Sequence, residues 1–210
     1  MSETLTIEAD KYCREIAQRA RNASRALAEL STARKNAWLR ASARSLRAHL
    51  SRILAANDDD VHRAVEALAP AAMIDRLRLT ESRIEGMARG LEEIAALPDP
   101  IGEVIDGNRR PSGLEVSRVR VPLGVVFFVY ESRPNVTVDA AAICVKSGNA
   151  VILRGGKESM HSSRVLIDLM SVEAEREGIP PFAVQLVGDT DRELVGRFLT
   201  LPEYIDVAIP

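Results

Sequence analysis

The chain has little of what marks a secreted, metal-binding or membrane protein. Only two of its 210 residues are cysteines, Cys13 and Cys144, which are too few for a disulfide framework and lack the spacing of metal ligands. No apolar run approaches the ~18 residues that a membrane span needs, and the N-terminus does not resemble a secretory signal. From these absences we expect a soluble cytoplasmic protein that holds no metal.

The chain also lacks an excess of either charge. It carries 28 lysines and arginines against 30 aspartates and glutamates, a formal net charge of −2, and the basic residues are scattered among acidic ones. No basic face for nucleic acid is therefore predicted. Hydrophobic residues make up 46% of the chain, which is enough for one or two packed cores and argues against disorder.

The N-terminal part is predicted to be helical and to support the fold rather than to carry chemistry. Apolar side chains recur at steps of three and four in residues 12–30 and again in residues 39–53, which indicates two amphipathic helices packed as a hairpin. Residues 57–60, Asn-Asp-Asp-Asp, are interpreted as a helix start rather than a metal site, because carboxylates favour the positive end of a helix dipole. Thr80 is predicted to cap a further helix that runs to about Ala96.

Residues 101–122 have a different pattern, which predicts two antiparallel strands that form a protruding arm. A polar turn is expected at residues 106–108, and Gly113 is interpreted as a β-bulge. The apolar positions of the two strands are Val104, Ile105, Leu114, Val116 and Val119.

The remaining residues predict a parallel α/β sheet. Two short apolar runs, Val125–Val129 and residues 150–153, are bounded by glycines, as is typical of strands buried on both faces of such a sheet. Between them, a helix is predicted to begin near Pro134 and to end near Lys146. Further helices are predicted at residues 159–176 and 192–199, and the last residues, 205–210, form an apolar strand-like run.

Two loops at the carboxyl ends of these strands could bind ligands, since open α/β sheets bind ligands there. The first contains Ser132, Arg133 and Asn135 at the mouth of a helix, and these groups suit a phosphate or a developing oxyanion. In the alternative interpretation, Glu131 and Arg133 only pair with each other or cap the helix, which would contribute ~0.5 kcal/mol.

The second loop is predicted to bind a cofactor. Gly155 and Gly156 permit close backbone approach, Arg154 and Lys157 are positively charged, and Glu158 could accept hydrogen bonds from ribose hydroxyls. The spacing matches neither the G-x-G-x-x-G fingerprint nor the P-loop, so the loop alone does not identify the ligand.

The segment that contains both loops, ESRPNVTVDAAAICVKSGNAVILRGG, resembles the signature of the gamma-glutamyl phosphate reductases, also called glutamate-5-semialdehyde dehydrogenases, of the aldehyde dehydrogenase superfamily. The resemblance extends upstream through residues 71–107 and downstream through residues 201–210. Nearly the whole chain therefore resembles the first half of that family. We interpret it as a truncated chain, and the alternative is a complete small domain that ends on an edge strand.

The resemblance implies an aldehyde dehydrogenase-like α/β fold with N-terminal helices and a partial Rossmann-like parallel sheet, truncated before the catalytic domain. It divides the chain into a helical segment (1–100), a β-hairpin arm (101–122) and a partial dinucleotide-binding domain (123–210). In this superfamily such an arm commonly reaches a neighbouring subunit, so a homo-oligomer is implied.

The resemblance also implies a reaction, the NADPH-dependent reduction of L-glutamyl 5-phosphate to L-glutamate 5-semialdehyde in proline biosynthesis. Ser132, Arg133 and Asn135 would orient the acyl phosphate. Residues 154–158 would hold the adenosine ribose, with the basic side chains favouring the 2′-phosphate of NADPH and Glu158 opposing that preference.

The nucleophilic cysteine of the family lies in the half that this chain does not resemble. Cys13 and Cys144 are predicted to pack in the core, so no catalytic residue is assigned and the chain alone is expected to be inactive. Two alternatives remain, namely another acyl-phosphate reductase of the aldehyde dehydrogenase type and a non-catalytic nucleotide-binding module.

Overall fold

The computed structural model describes residues 3–131 and 133–210. The elements before the sheet are α1 (Glu3–Ala28), α2 (Thr32–Ala48), α3 (Leu50–Glu66), α4 (Ala71–Leu77), α5 (Glu81–Ala96), β1 (Val104–Arg109) and β2 (Glu115–Val119). The elements of the sheet region are β3 (Val125–Val129), α6 (Pro134–Lys146), β4 (Ala150–Arg154), a 3-10 turn (Lys157–Ser159), α7 (Met160–Glu177), β5 (Val184–Leu186), α8 (Glu193–Leu199) and β6 (Val207–Ile209).

A parallel four-stranded sheet in the order β5-β4-β3-β6 forms the centre of the fold. Val125 lies opposite Ala150 where β3 pairs with β4, and Val126 lies opposite Val207 where β3 pairs with β6. The predicted parallel arrangement is confirmed. Because the chain adds β4 and β5 on one side of β3 and β6 on the other, its direction of winding reverses at β3, where ligands bind in such sheets.

Several predicted helices form where local signals placed them. Helix α6 begins at Pro134 and ends at Lys146, as predicted. The Thr80 hydroxyl accepts a hydrogen bond from the Arg83 amide at 3.2 Å, and α5 then runs to Ala96. Proline at a first helical position and a hydroxyl at an N-cap act within one turn, so a single sequence reveals them.

The predicted hairpin of two N-terminal helices is wrong. The segment from residue 39 to residue 53 is broken at His49, whose backbone leaves the helical conformation (φ −112°, ψ 26°), so two helices form. Helix α1 packs against β4 and α8, whereas α2 packs against α5 and α7. Ala17 and Ala20 are fully buried on α1, and such small side chains let the helix approach the sheet closely.

One apolar core joins the N-terminal helices to the sheet. Trp38 of α2, Phe127 of β3 and Phe198 of α8 are among its fully buried side chains. The Trp38 indole donates a hydrogen bond to the Met170 carbonyl of α7 at 3.0 Å, so the largest side chain is satisfied as well as buried. The helices preceding the sheet therefore hold its crossover helices in position.

The acidic segment of residues 57–60 lies inside α3, so its interpretation as a helix start is wrong. Asp60, which is 2% exposed, instead accepts hydrogen bonds at the beginning of α7. Its carboxylate accepts from the His161 amide at 3.2 Å, the Ser162 amide at 2.8 Å and the Ser162 hydroxyl at 2.6 Å. The carboxylate does stabilise the positive end of a helix dipole, but that of a helix 100 residues further along the chain.

The strand β6 is joined to α1 near the start of β3. Asp206 accepts a hydrogen bond from the Val125 amide at 2.7 Å and forms an ion pair with Arg21 at 2.8 Å. Gly124 lies beside this pair with φ +123°, and a Cβ at that position would lie 2.2 Å from Asp206 Oδ2. Only glycine fits this junction without displacing the carboxylate.

The arm of residues 101–122 forms an antiparallel pair of exposed strands, as predicted, but its turn lies elsewhere. Residues 106–108 belong to β1, and the turn is closed by the Arg110 amide, which donates to the Leu114 carbonyl at 2.8 Å. Gly113 has φ +86° within this turn, and the irregular register lies between Val104 and Asp106. With both faces of the ribbon exposed, burial does not fix the register, so the sequence did not reveal it.

Candidate cofactor and substrate site

A large cavity lies at the carboxyl ends of β3 and β4 and reaches Pro210, which follows β6. Its volume is about 1180 Å³, somewhat above the roughly 300–1,000 Å³ that is usual for small-molecule sites. Both predicted loops contribute to its wall, with Glu131 and Arg133 from the first and Arg154, Gly156, Lys157 and Glu158 from the second. Its position agrees with the rule that open α/β sheets bind ligands where the winding reverses.

Arg154 braces this cavity more than it faces it. Its Nη2 donates to the Thr190 carbonyl at 2.7 Å and its Nη1 to the Gly155 carbonyl at 3.2 Å, which ties the loop after β4 to the loop after β5. Its buried Nε has no hydrogen-bond partner in the described part of the chain. Lys157 is exposed, so of the two basic residues it is the one whose charge is presented outward.

Gly155 packs closely against another part of the protein. A Cβ at Gly155 would lie 3.1 Å from the ring and hydroxyl of Tyr130, the residue that follows β3. The Tyr130 hydroxyl shares a hydrogen bond with the Thr137 hydroxyl at 2.7 Å, which in turn lies 3.0 Å from the Ser163 hydroxyl. Burial raises the pKa of Tyr130, so its hydroxyl stays protonated. Tyr130 gave no signal in the sequence, because its packing depends on α6 and α7.

Asp60 determines what the second loop can bind. Helix α7 follows the 3-10 turn of this loop directly, and a helix start normally offers its free amides to phosphate. Here the His161 and Ser162 amides already donate to the buried Asp60 carboxylate. A pyrophosphate would have to displace a negative charge, so this helix start is unsuited to it, whereas the exposed Lys157 remains accessible.

The first loop presents Arg133 to the cavity. Arg133 is exposed, occupies the N-cap position of α6 and makes no side-chain capping hydrogen bond. Its amide donates to the Glu131 carbonyl at 2.7 Å, but no ion pair between the two side chains occurs within residues 3–131 and 133–210. Asn135 lies in the first turn of α6 and faces a second cavity, which Arg133 also lines. The third predicted residue, Ser132, lies outside the described residues.

The two cysteines are buried, as predicted, and neither lines the cavity. Burial raises the pKa of Cys13 to about 11 and that of Cys144 to about 12. Both thiols therefore stay protonated near neutral pH, and a protonated thiol is a poor nucleophile. Among the described residues, no group of three or more His, Cys, Asp or Glu side chains is placed to hold a metal ion. No helix in the same residues is long and apolar enough to cross a membrane.

Comparison with known proteins supports the resemblance predicted from the signature. The gamma-glutamyl phosphate reductase of Rhodopirellula baltica is 58% identical over 198 residues, which are 94% of this chain and 46% of that protein. This chain is similar to gamma-glutamyl phosphate reductase. The predicted resemblance is confirmed, and the chain spans about half the length of the relatives that it matches. No family model matches the chain.

Solved structures of gamma-glutamyl phosphate reductase have the same fold. The enzyme from Thermotoga maritima superposes with a TM-score of 0.91 at 37% identity over 94% of this chain and 48% of that one. The enzyme from Saccharomyces cerevisiae gives 0.88 at 32% identity over 94% of this chain and 50% of that one. A probable aldehyde dehydrogenase from Listeria monocytogenes gives 0.71 at 14% identity over 96% of this chain and 42% of that one. The predicted aldehyde dehydrogenase-like fold is therefore confirmed.

Proposed function

We propose that this chain forms the cofactor-binding and substrate-orienting part of a gamma-glutamyl phosphate reductase. The reaction is the reduction of L-glutamyl 5-phosphate to L-glutamate 5-semialdehyde with release of phosphate, in the cytoplasmic biosynthesis of proline. The observation that carries the proposal is that both loops predicted to bind ligands line one cavity at the carboxyl edge of the sheet. The 58% identity to a reductase of this name supports it.

The second loop fits the adenosine end of NADPH. Lys157 offers an exposed positive charge to a 2′-phosphate, and Glu158 lines the same wall, where a carboxylate suits ribose hydroxyls. Arg154 is held by the Thr190 carbonyl, so its role is to fix the shape of the wall. NADPH supplies the reducing hydride, and the protein contributes binding and orientation.

The first loop fits the phosphate end of the substrate. Arg133 carries an exposed guanidinium into the cavity, and a guanidinium binds phosphate oxygens through two parallel hydrogen bonds. Asn135, the second residue of α6, lines the second cavity, which Arg133 also lines, and we propose that its amide helps to orient the same phosphate. On the strength of the signature, Ser132 is proposed to complete the group.

The nucleophile is proposed to come from outside the residues of this chain. Reduction of an acyl phosphate by this route requires a thiolate, and both thiols here are buried with raised pKa values. The chain alone should therefore bind ligands without turnover. The exposed arm of β1 and β2 suits contact with a second subunit, so the active form is proposed to be a homo-oligomer.

Titration of the chain with NADPH and with NADH, followed by cofactor fluorescence, tests this proposal. We expect NADPH to bind more tightly than NADH and the substitution Lys157→Ala to weaken NADPH binding about tenfold, since a charge-assisted hydrogen bond contributes roughly 1.5–3 kcal/mol. Lys11→Ala, which removes an exposed lysine from α1, should change neither affinity. The assignment of Lys157 to the 2′-phosphate would be contradicted if NADPH and NADH bound equally tightly and Lys157→Ala changed neither affinity.

A further inference from the structure

A second cavity of about 450 Å³ adjoins the main one. Arg76 and Arg133 line both cavities, so the two are neighbouring parts of one surface. Helices α4, α5 and α6 and the segment between α4 and α5 form its walls, and the buried Met87 contributes apolar surface. A ligand whose phosphate lies near Arg133 could extend into this second cavity.

Asp139 is a carboxylate in this cavity with no cation beside it. It lies one helical turn after Asn135 on α6, and its hydrogen bond from Asn135 Nδ2 is long, at 3.4 Å. No lysine, arginine or histidine in the described part of the chain forms an ion pair with it. Burial raises the pKa of Asp139, and the hydrogen bond from Asn135 opposes this only in part. A partly buried carboxylate is costly unless a positive group neutralises it.

Positive charges line the same cavity at a different wall. Arg76 and Arg78, at the end of α4, are exposed, and neither forms an ion pair among residues 3–131 and 133–210. Arg83 is engaged, because its guanidinium forms an ion pair with Asp75 at 3.3 Å. The cavity therefore presents an unneutralised carboxylate and unpaired guanidinium groups separately, instead of pairing them with each other.

We propose that this second cavity binds the amino-acid end of the substrate. The α-ammonium group lies against Asp139, and the α-carboxylate lies against Arg76 and Arg78. Asn135 holds the Asp139 carboxylate in place through its amide. A zwitterion supplies both missing charges at one carbon atom, so it satisfies the two walls together, which neither a simple anion nor a simple amine does. This inference rests on the proposed function only in placing the phosphate end near Arg133.

Amide-resolved NMR titrations of the chain with three related ligands test the inference. L-glutamate carries both α-groups, glutarate lacks the ammonium and 4-aminobutyrate lacks the α-carboxylate. We expect L-glutamate to bind with a Kd of about 1 mM, to shift amides of residues 76–87 and 135–139, and to bind about tenfold more tightly than either analogue. Equal affinities for all three ligands, or L-glutamate shifts outside these residues, would overturn the inference without any variant.

The substitution Asp139→Asn keeps the size of the side chain and removes its charge. It should reduce the preference for L-glutamate over glutarate about tenfold, because the charge-assisted hydrogen bond to the ammonium is lost. Asp58→Asn, which changes an exposed aspartate of α3, should leave the preference unchanged. An unchanged preference in Asp139→Asn would mean that the carboxylate meets another part of the protein instead of a ligand.

The outcome is separable from that of the proposed function. Cofactor binding is measured with NADPH at the second loop, whereas this inference is measured with amino-acid analogues at α4, α5 and α6. If NADPH binds and the chain shows no preference for L-glutamate over the two analogues, this inference fails and the cofactor assignment stands. If L-glutamate binds as expected and NADPH does not, the reverse holds.

Discussion

Removal of the Asp60 carboxylate should both destabilise the fold and weaken NADPH binding at the second loop. Three donors lose their acceptor in Asp60→Ala, namely the His161 amide, the Ser162 amide and the Ser162 hydroxyl. Each buried donor left unsatisfied costs roughly 1–3 kcal/mol. The Ser162 hydroxyl can rotate to another acceptor and the helix start can shift, so we expect a net loss of about 3–5 kcal/mol in the free energy of unfolding.

The second effect follows from the position of the three donors. The 3-10 turn of Lys157–Ser159 leads directly into the helix that Asp60 anchors, and α3 contacts this turn. Without the carboxylate, Lys157 should no longer be held in position for a ligand. NADPH binding is expected to weaken about tenfold even under conditions where the variant is folded, because ordering the turn then opposes binding.

Denaturant unfolding followed by circular dichroism measures the first effect, and NADPH titration at low denaturant measures the second. Asp59→Ala is the matched control, since Asp59 is the exposed neighbour on the same helix and should change stability by no more than about 0.5 kcal/mol. If Asp60→Ala were as stable as Asp59→Ala, the three hydrogen bonds would not anchor α7 and the reasoning would be refuted. A destabilised variant with unchanged NADPH affinity would refute the link to the loop alone.

Three further predictions concern the two cysteine thiols, the Asp99 carboxylate and Gly124. Burial raises the pKa of Cys13 to about 11 and that of Cys144 to about 12. In the folded chain both thiols should therefore resist iodoacetamide at pH 8 and should react after unfolding, which mass spectrometry would measure. Rapid labelling of either thiol in the folded chain would contradict their burial. Burial alone would raise the pKa of Asp99, but hydrogen bonds to its carboxylate, above all the one from Lys35, lower the pKa overall. The ionised carboxylate therefore stabilises the fold above its unfolded-state pKa, and this stabilisation is lost as the pH falls through the folded-state pKa. Lys35, which is buried, also forms an ion pair with Asp99. Asp99→Asn should therefore lower the free energy of unfolding by about 3 kcal/mol near pH 7 and by much less near pH 3 in denaturant unfolding. A cost independent of pH would argue against this ion pair. Gly124→Ala should lower the melting temperature, because its Cβ would lie 2.2 Å from a neighbouring carboxylate oxygen at a positive φ; an unchanged melting temperature would show that this junction can relax.

Local signals predicted the sheet and most of its helices, whereas contacts between distant segments could not be predicted. Pro134 and Thr80 act within one helical turn, and α5 and α6 begin where they indicated. Apolar periodicity showed which face of α1 is buried but not its partner, because an apolar stripe fits a helix or a sheet equally well. The packing of α1 on β4 was therefore missed.

The same limit applies to the candidate site. Glycines and charges after two buried strands revealed both loops, since the carboxyl edge of a parallel sheet is a known ligand position. Asp60 was misinterpreted because its partners lie 101 and 102 residues away, which no local pattern encodes. Asp139 gave no signal, since its importance depends on the absence of a nearby cation, and only the three-dimensional arrangement of α4, α5 and α6 shows this.

The ion pair between Arg21 and Asp206 also constrains how the chain can fold during synthesis. Its two members are 185 residues apart, so the first helix leaves the ribosome long before its partner exists. At the usual rate of about 5–20 residues per second, the delay is about 10–40 s. For the earlier part of that time, until β4 has been made, the alanine-rich side of α1 has no strand against which to pack. We expect the nascent chain to expose this surface to chaperones until β4 is made, and the start of β3 to lack its Asp206 acceptor until β6 follows.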